Sequence, residues 1–264
     1  MHGRTMVMSG GSRGIGLDTA LAFARRGGNV ALLAKTDQPH PRLPGTIHTA
    51  VEAIQHVGGQ AVGVLGDVRS EDDVAQLVSR AVERFGGVDV VVNNASAIHT
   101  GGTLETPAKK FALMHEVNIR GTWLLTSATL PHLRESGGSV ITLSPPLNLS
   151  PHWLGVHPGY TTSKYAMTLL TLGWAAEFAD DGIAAYCLWP ETLIDTAAVR
   201  NILGGADRAR SPQIMADAAM ALLDQPHEHT TGQTFIDADV LRAAGVTDLS
   251  QYGGDSVAKD IFVD

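Results

Sequence analysis

The chain has 264 residues, 44% of them hydrophobic, and carries a formal net charge of −8. An acidic chain with no run of Lys or Arg is not built to coat a nucleic acid or an anionic membrane, and its length and apolar content suit one α/β domain, 1–264. Cys187 is the only cysteine, so no intramolecular disulfide can form. Met1-His2-Gly3-Arg4 leads into Met6-Val7-Met8, an apolar run too brief for a signal peptide, and no stretch reaches membrane-spanning length. Phe262-Val263-Asp264 is not a peroxisomal address. The expectation is a cytoplasmic protein with small-molecule partners.

Short β-rich runs alternate with helical patterns, as in a parallel sheet flanked by helices. The predicted strands are Thr5 to Met8, Asn29 to Ala34, Ala61 to Leu65, Val88 to Val92, Ser139 to Leu143, Ile183 to Leu188 and Gln233 to Ile236. The first helix follows a glycine-rich turn, Gly10-Gly11-Ser12-Arg13-Gly14-Ile15-Gly16, and ends near Gly27-Gly28. Ser70 with Asp73 three residues on resembles a capping box for a helix ending at Phe85. Another helix starts at Thr106-Pro107, with Pro at the first helical position, and its apolar pattern passes Asn118 to reach Leu130. Two loops, Gln38 to Gly45 and Pro145 to Gly159, sit at the C-terminal ends of strands, where doubly wound sheets bind ligands.

Gly10, Gly14 and Gly16 let the chain turn tightly and bring backbone N–H groups and a helix N-terminus against a pyrophosphate. Tyr160 and Lys164 stand one helical turn apart, so the ammonium can lie beside the phenol and favour its ionised form. Lowering a phenol by about three units takes about 4 kcal/mol, which a unit charge about 4 Å away supplies at an effective dielectric near 20. The expectation is a Tyr160 made acidic by Lys164.

These motifs, with Asp67-Val68, Asn93-Asn94-Ala95 and Asn118 between them, follow the order seen in the short-chain dehydrogenase/reductase family, which the chain resembles over nearly its whole length. The resemblance implies a single-domain doubly wound Rossmann fold, with a seven-stranded parallel sheet in the order 3-2-1-4-5-6-7. It further implies a bound NAD(P), hydride transfer between that cofactor and a carbonyl or alcohol, and a homo-oligomer, commonly a tetramer. Tyr160 would then be the acid/base, Lys164 would assist it and bond the nicotinamide ribose, and Asn118 would hold a water connecting Lys164 to solvent. The cofactor set carried over is Gly10, Ser12, Arg13, Gly14, Ile15 and Gly16 in the turn, Asp67 and Val68 at the adenine, Asn94 and Ala95 along the nucleotide, and Pro190, Ile194 and Thr196 near the nicotinamide and pyrophosphate, together with Tyr160 and Lys164. After the second strand stand Ala34-Lys35-Thr36, with no acid to bond the adenosine ribose, so Lys35 and Arg13 would face a 2′-phosphate and NADP(H) is preferred. Asp37 is the competing carboxylate. Carried to the ribose by a shift of two residues, it would favour NAD(H).

The family usually adds a serine that polarises the substrate oxygen. Here that register falls on Pro145, which has no donor, with Ser144 one place early; either Ser144 swings into the site, or Asn148 or a water replaces it. These departures, with Gln38-Pro39-His40-Pro41, Leu43-Pro44-Gly45, Trp189-Pro190 and Thr196-Ala197-Ala198, resemble the hydroxysteroid-dehydrogenase-like group, whose animal members join this domain to a sterol-carrier domain. Leu147, Leu149, Trp153 and Leu154 suggest an apolar substrate, and Trp153 and His157 either contact it or fasten the loop. His227-Glu228-His229 lacks a third ligand and reads as solvated, so no metal is expected. The competing functions are a cofactor-binding protein of little turnover and an enoyl-type reductase.

Overall fold

The structure is a computed structural model that describes residues 1–41, 43–253 and 257–264. In chain order the elements are β1 (Thr5–Ser9), α1 (Gly14–Arg25), β2 (Asn29–Ala34), α2 (Ile47–His56), β3 (Gln60–Leu65), α3 (Glu71–Phe85), β4 (Val90–Asn93), α4 (Ala108–Met114), α5 (Gly121–Ser136), β5 (Ser139–Thr142), α6 (Pro151–Val156), α7 (Pro158–Glu177), β6 (Ala184–Trp189), α8 (Gln213–Leu223), β7 (Thr234–Ile236) and α9 (Asp237–Ala243). The seven strands form one parallel sheet in the order β3-β2-β1-β4-β5-β6-β7, as the resemblance implies. Strand limits differ from the sequence reading by one or two residues, with β4 starting at Val90 rather than Val88.

Alternation along the strands divides the core in two. Met6, Met8, Val30, Leu32, Val90 and Val92 face one way and pack on α1, α2, α8 and α9. Val7, Ala31, Leu33, Val91 and Val140 face the other way, onto α3, α5 and α7. A smaller third cluster, Met114, Tyr160, Tyr165, Trp189 and Phe262, lies apart from both. Because the strand order runs in opposite directions from β1, the chains leaving β1 and β4 diverge and open a crevice at their C-terminal ends.

Several local readings are corrected. Pro107 is the extended residue before α4, with ψ 143°, rather than its first helical residue. The helix it precedes runs on to Ser136 through a π-helical turn, His115–Arg120, which carries the buried Asn118. Ser70 accepts from the Asp73 N–H, but the Asp73 carboxylate accepts from the Asp67 N–H (2.7 Å) instead of returning to Ser70, so only half a capping box forms and the other half fastens the β3 exit loop. The full reciprocal box is at Thr46 and Thr49, opening α2. The segment expected as a loop from Pro145 to Gly159 contains α6, for which Pro151 takes the first helical position that suits proline's fixed φ, and α7 begins at Pro158.

The turn after β1 rests on β2: a Cβ on Gly11 would lie 2.4 Å from Leu32 Cδ2. Leu32→Ala should cost about 2–5 kcal/mol in urea unfolding. Gly11→Ala should destabilise the wild type, and its cost should shrink in the Leu32→Ala background. Strictly additive losses would show that Leu32 does not shape the turn.

Candidate active site

At the end of β1, Gly10 (φ +75°) and Gly14 (φ +52°) adopt the left-handed backbone that side chains disfavour. The turn is clasped from β4. The Asn94 amide donates to the carbonyls of Ser9 (3.1 Å) and Gly10 (2.9 Å), and the Ala95 N–H donates to Ser9 Oγ (3.1 Å). A Cβ on Gly10 would meet Asn94 Nδ2 at 2.8 Å, and one on Gly16 would meet it at 2.6 Å. No side chain caps the start of α1 and no acid sits in its first turn, so its leading N–H groups and positive dipole end face the crevice.

That crevice is a cleft of about 530 Å³, lined by Gly10, Ser12, Arg13, Gly14, Ile15, Lys35, Asp67, Val68, Asn94, Ala95 and Thr196 among others. Gly16 lies beneath it, packed on Asn94. The Arg13 guanidinium donates to Thr36 Oγ1 and to the carbonyls of Pro44 and Gly45, clamping the loop after β2 onto the glycine turn. Of that loop, Arg42 lies outside the described residues. Lys35 Nζ is 3.1 Å from the Asp67 carboxylate, which Arg69 also grips, and these cations hold Asp67 well below the usual carboxylate range. Asp37 is not part of the cleft wall; it accepts from Gln38 and sits 2.6 Å from His48.

A second cavity of about 160 Å³ adjoins the first and shares Ile15, Asn94, Ser96, Thr196 and Ala198 with it. Tyr160, Lys164, Pro190 and Ile194 line it, joined by Ile98, Leu143, Trp189, Val199, Leu203, Met215, Asp260 and Ile261. Tyr160 and Lys164 share one face of α7, yet no hydrogen bond joins them. Lys164 Nζ donates to the Leu143 carbonyl (2.6 Å) and lies 5.0 Å from the Trp189 ring. Burial pushes Lys164 down to about 7 against the pull of Cys187 and Asp260. Burial, and after it the Asp260 carboxylate, pushes the Tyr160 phenol above its ordinary range, while a hydrogen bond with Ser96 opposes the shift. The expected acidification of Tyr160 by Lys164 is therefore corrected: desolvation dominates, and the phenol keeps its proton.

Besides Gly16, two residues assigned from sequence lie outside both cavities. The Ser144 N–H turns back to the Thr142 carbonyl (2.9 Å), which directs the hydroxyl toward Cys187 Sγ (3.3 Å) and Thr168 Oγ1 (3.0 Å), behind β5 and away from the site. The Asn118 side chain bonds the Ala97 N–H and carbonyl and Ser163 Oγ, so its amide clamps the β4 exit loop to α7. Asn148 does not fill the missing place either; it donates to the Phe262 carbonyl and Asp264. Trp153 Nε1 donates to Asp264, which fastens the α6 segment to the chain's last described residues, and Leu147, Leu149 and Leu154 are exposed instead of lining the cavity. His227 bonds Ser139 and the Gly182 carbonyl, tying β5 to the turn before β6.

Sequence reasoning missed Ser96 and Asp260. Ser96 directly follows Asn93-Asn94-Ala95 and was within reach of that motif. Asp260 has no sequence signal, being nearly a hundred residues from Tyr160 and Lys164 in the chain.

The glycine cradle, the switch-point crevice and the Tyr160–Lys164 cavity define a dehydrogenase site on a doubly wound sheet. The family model described as short chain dehydrogenase matches residues 4–205, and the chain belongs to that family. It is 46% identical over its whole length to hydroxysteroid dehydrogenase-like protein 2 from Danio rerio, and 43% identical to the protein of that name from Homo sapiens. The chain spans 65% and 64%, respectively, of the length of those two relatives. A crystal structure described as a dehydrogenase from Xanthomonas campestris superposes with a TM-score of 0.96 at 47% identity, covering 100% of this chain and 98% of that one. A short chain dehydrogenase from Mycobacterium thermoresistibile gives a TM-score of 0.93 at 48% identity, covering 100% and 96%.

The buried charges set a pH dependence of stability. Burial pushes Asp260 up to about 8 and Asp237 up to about 6, so between about pH 4 and 8 the folded chain holds protons that the unfolded chain releases, and stability falls as pH rises. Lys164 acts oppositely above about pH 7, where the unfolded chain holds the extra proton. Between about pH 5 and 8 the wild type should lose stability relative to Asp260→Asn by up to about 1.4 kcal/mol per pH unit, read from urea unfolding. Parallel curves would show that Asp260 is already ionised.

Proposed function

We propose that the chain is an NADP(H)-dependent oxidoreductase that interconverts a carbonyl and a hydroxyl on a small apolar molecule, with Tyr160 exchanging the proton. The observation that carries this reading is the continuity of the two cavities: a cradle that admits no Cβ opens directly onto the wall holding Tyr160 and Lys164. The residues present fit the dinucleotide. Gly10, Gly14 and the start of α1 would hold its phosphates, Val68 and Ala95 would border the adenosine half, and Pro190, Ile194 and Thr196 the nicotinamide half. When bound, the cofactor supplies or accepts hydride.

The chain's own part is protonic. A phenol that retains its proton suits donation to a carbonyl oxygen, and Ser96 lines the same cavity. Lys164, near neutrality, can hold or release a proton beside it. The walls formed by Ile98, Leu143, Trp189, Val199, Leu203 and Met215 exclude water and suit an apolar substrate. The relatives' name, hydroxysteroid dehydrogenase-like, points the same way.

NADP(H) over NAD(H) rests on charge. Lys35 stands at the cleft and, among the described residues, pairs with Asp67, while Asp37 is turned toward His48. Half-exposed Trp123 on α5 and Leu169 on α7 support assembly with further copies of the chain. Among the described residues no helix is long and apolar enough to cross a membrane.

NADPH fluorescence titration, followed by assays with decanal, cyclohexanone and diacetyl, tests the reading. Tyr160→Phe should abolish reduction and leave NADPH affinity within a few-fold; unchanged turnover would remove Tyr160 as the acid. Binding without any Tyr160-dependent turnover would favour a cofactor-binding protein instead. Lys35→Ala should weaken NADPH by about tenfold, in keeping with a charge-assisted contact of about 1.5 kcal/mol, and weaken NADH little. Equal losses would undo the nucleotide assignment.

A further inference from the structure

A short-chain site needs a second polar group at the reacting oxygen, and in this chain the place next to β5 is lost: Pro145 has no donor and Ser144 faces Cys187 and Thr168. The opposite wall of the same cavity carries Asp260. The residue lines the cavity together with Tyr160 and Lys164 and is only 7% exposed. Its charge reaches both of those side chains.

The backbone around Asp260 is held on every side. The Asp260 N–H donates to the Glu191 carbonyl (3.1 Å), Trp189 Nε1 donates to the Ile261 carbonyl (2.9 Å), and Lys259 bridges to Thr192. Phe262 has φ +74°, the sole positive φ of a non-glycine among the described residues, and its ring packs against Tyr160, Tyr165, Trp153 and Trp189. Such a torsion persists only where the surroundings impose it, and it lies two residues beyond Asp260.

We propose that Asp260 is a further substrate-facing residue, its carboxyl O–H donating a hydrogen bond to the reacting oxygen beside Tyr160 in place of the serine that this chain lacks. The inference rests on the oxidoreductase reading above. The transferred proton remains that of Tyr160, and Asp260 only holds the oxygen. Burial keeps this carboxyl protonated up to about 8, which makes it a donor at neutral pH. The titratable groups facing it are Tyr160 and Lys164 from α7 and Asp237 from the start of α9. Glu191 and Lys259 flank it, and the Glu191 carboxylate is paired with Arg210, Arg242 and Lys259. Once ionised, Asp260 would repel a developing alkoxide, so the donor role is lost at alkaline pH.

Two measurements test this. The first needs no turnover: infrared difference spectra of 13C-aspartate-labelled wild type minus Asp260→Asn should show a protonated carboxyl that disappears near pH 8. A carboxylate already formed at about pH 5 overturns the proposal. The second uses decanal, cyclohexanone and diacetyl with NADPH. Asp260→Leu should lower kcat by about 10²- to 10³-fold, as the loss of one such donor does, with NADPH affinity unchanged. Asp260→Asn, which keeps a donor, should recover at least tenfold of that loss and shift the alkaline limb of the pH profile. A kcat within about twofold of wild type in Asp260→Leu, or an unmoved limb in Asp260→Asn, overturns the inference while the Tyr160 reading stands. Failure of the wild type to bind NADPH or to reduce any of the three probes overturns both.

Discussion

The amide of Asn94 donates to two carbonyls, those of Ser9 and Gly10, across the gap where β1 and β4 part. Backbone carbonyls at the end of a buried strand need donors, and this side chain supplies them from within the fold. It can do so only because Gly10 and Gly16 carry no Cβ. The clasp sets where the turn runs, hence where α1 begins and which N–H groups face the cleft. The Arg13 clamp to the 36–45 loop and the β4 exit loop that leads to Ser96 are both built outward from it.

A second constraint governs the chemistry. Tyr160, Lys164 and Asp260 are buried and line one cavity, so burial opposes whichever form of each is charged. Simple pairing of a cation with a phenol in partly wet surroundings would make the phenol acidic. Desolvation here works the other way, keeping protons on Tyr160 and Asp260 and loosening the one on Lys164. The Leu143 carbonyl and the Trp189 ring hold Lys164 in place.

The exit from β5 shows how one turn redistributes roles. With the Ser144 N–H bonded back to Thr142, the hydroxyl enters the layer between β5 and α7, where Thr168 and Cys187 receive it. Asn148 and Trp153, released from the cavity, anchor the 257–264 segment by bonding Phe262 and Asp264. That segment covers the third apolar cluster and closes the wall opposite β5.

The alternation of strands and helices, the glycine turn and the Tyr160–Lys164 spacing were legible in the linear chain because each depends on local periodicity or on residues a few positions apart, whereas the sheet order was expected only through the family resemblance. Alternation along Met6 to Met8 and Val90 to Val92 reports two buried faces without any knowledge of what covers them. Tertiary structure alone decided which groups share a cavity. Ser144 lies next to the expected position in sequence and yet points behind the strand. Asn118 is a clamp because Ala97 and Ser163 come to it from two other segments. Asp260 joins the cavity of Tyr160 and Lys164 from a distant part of the chain. The direction in which each proton is held likewise follows from burial, which depends on the whole fold rather than on which charged residue stands one helical turn away.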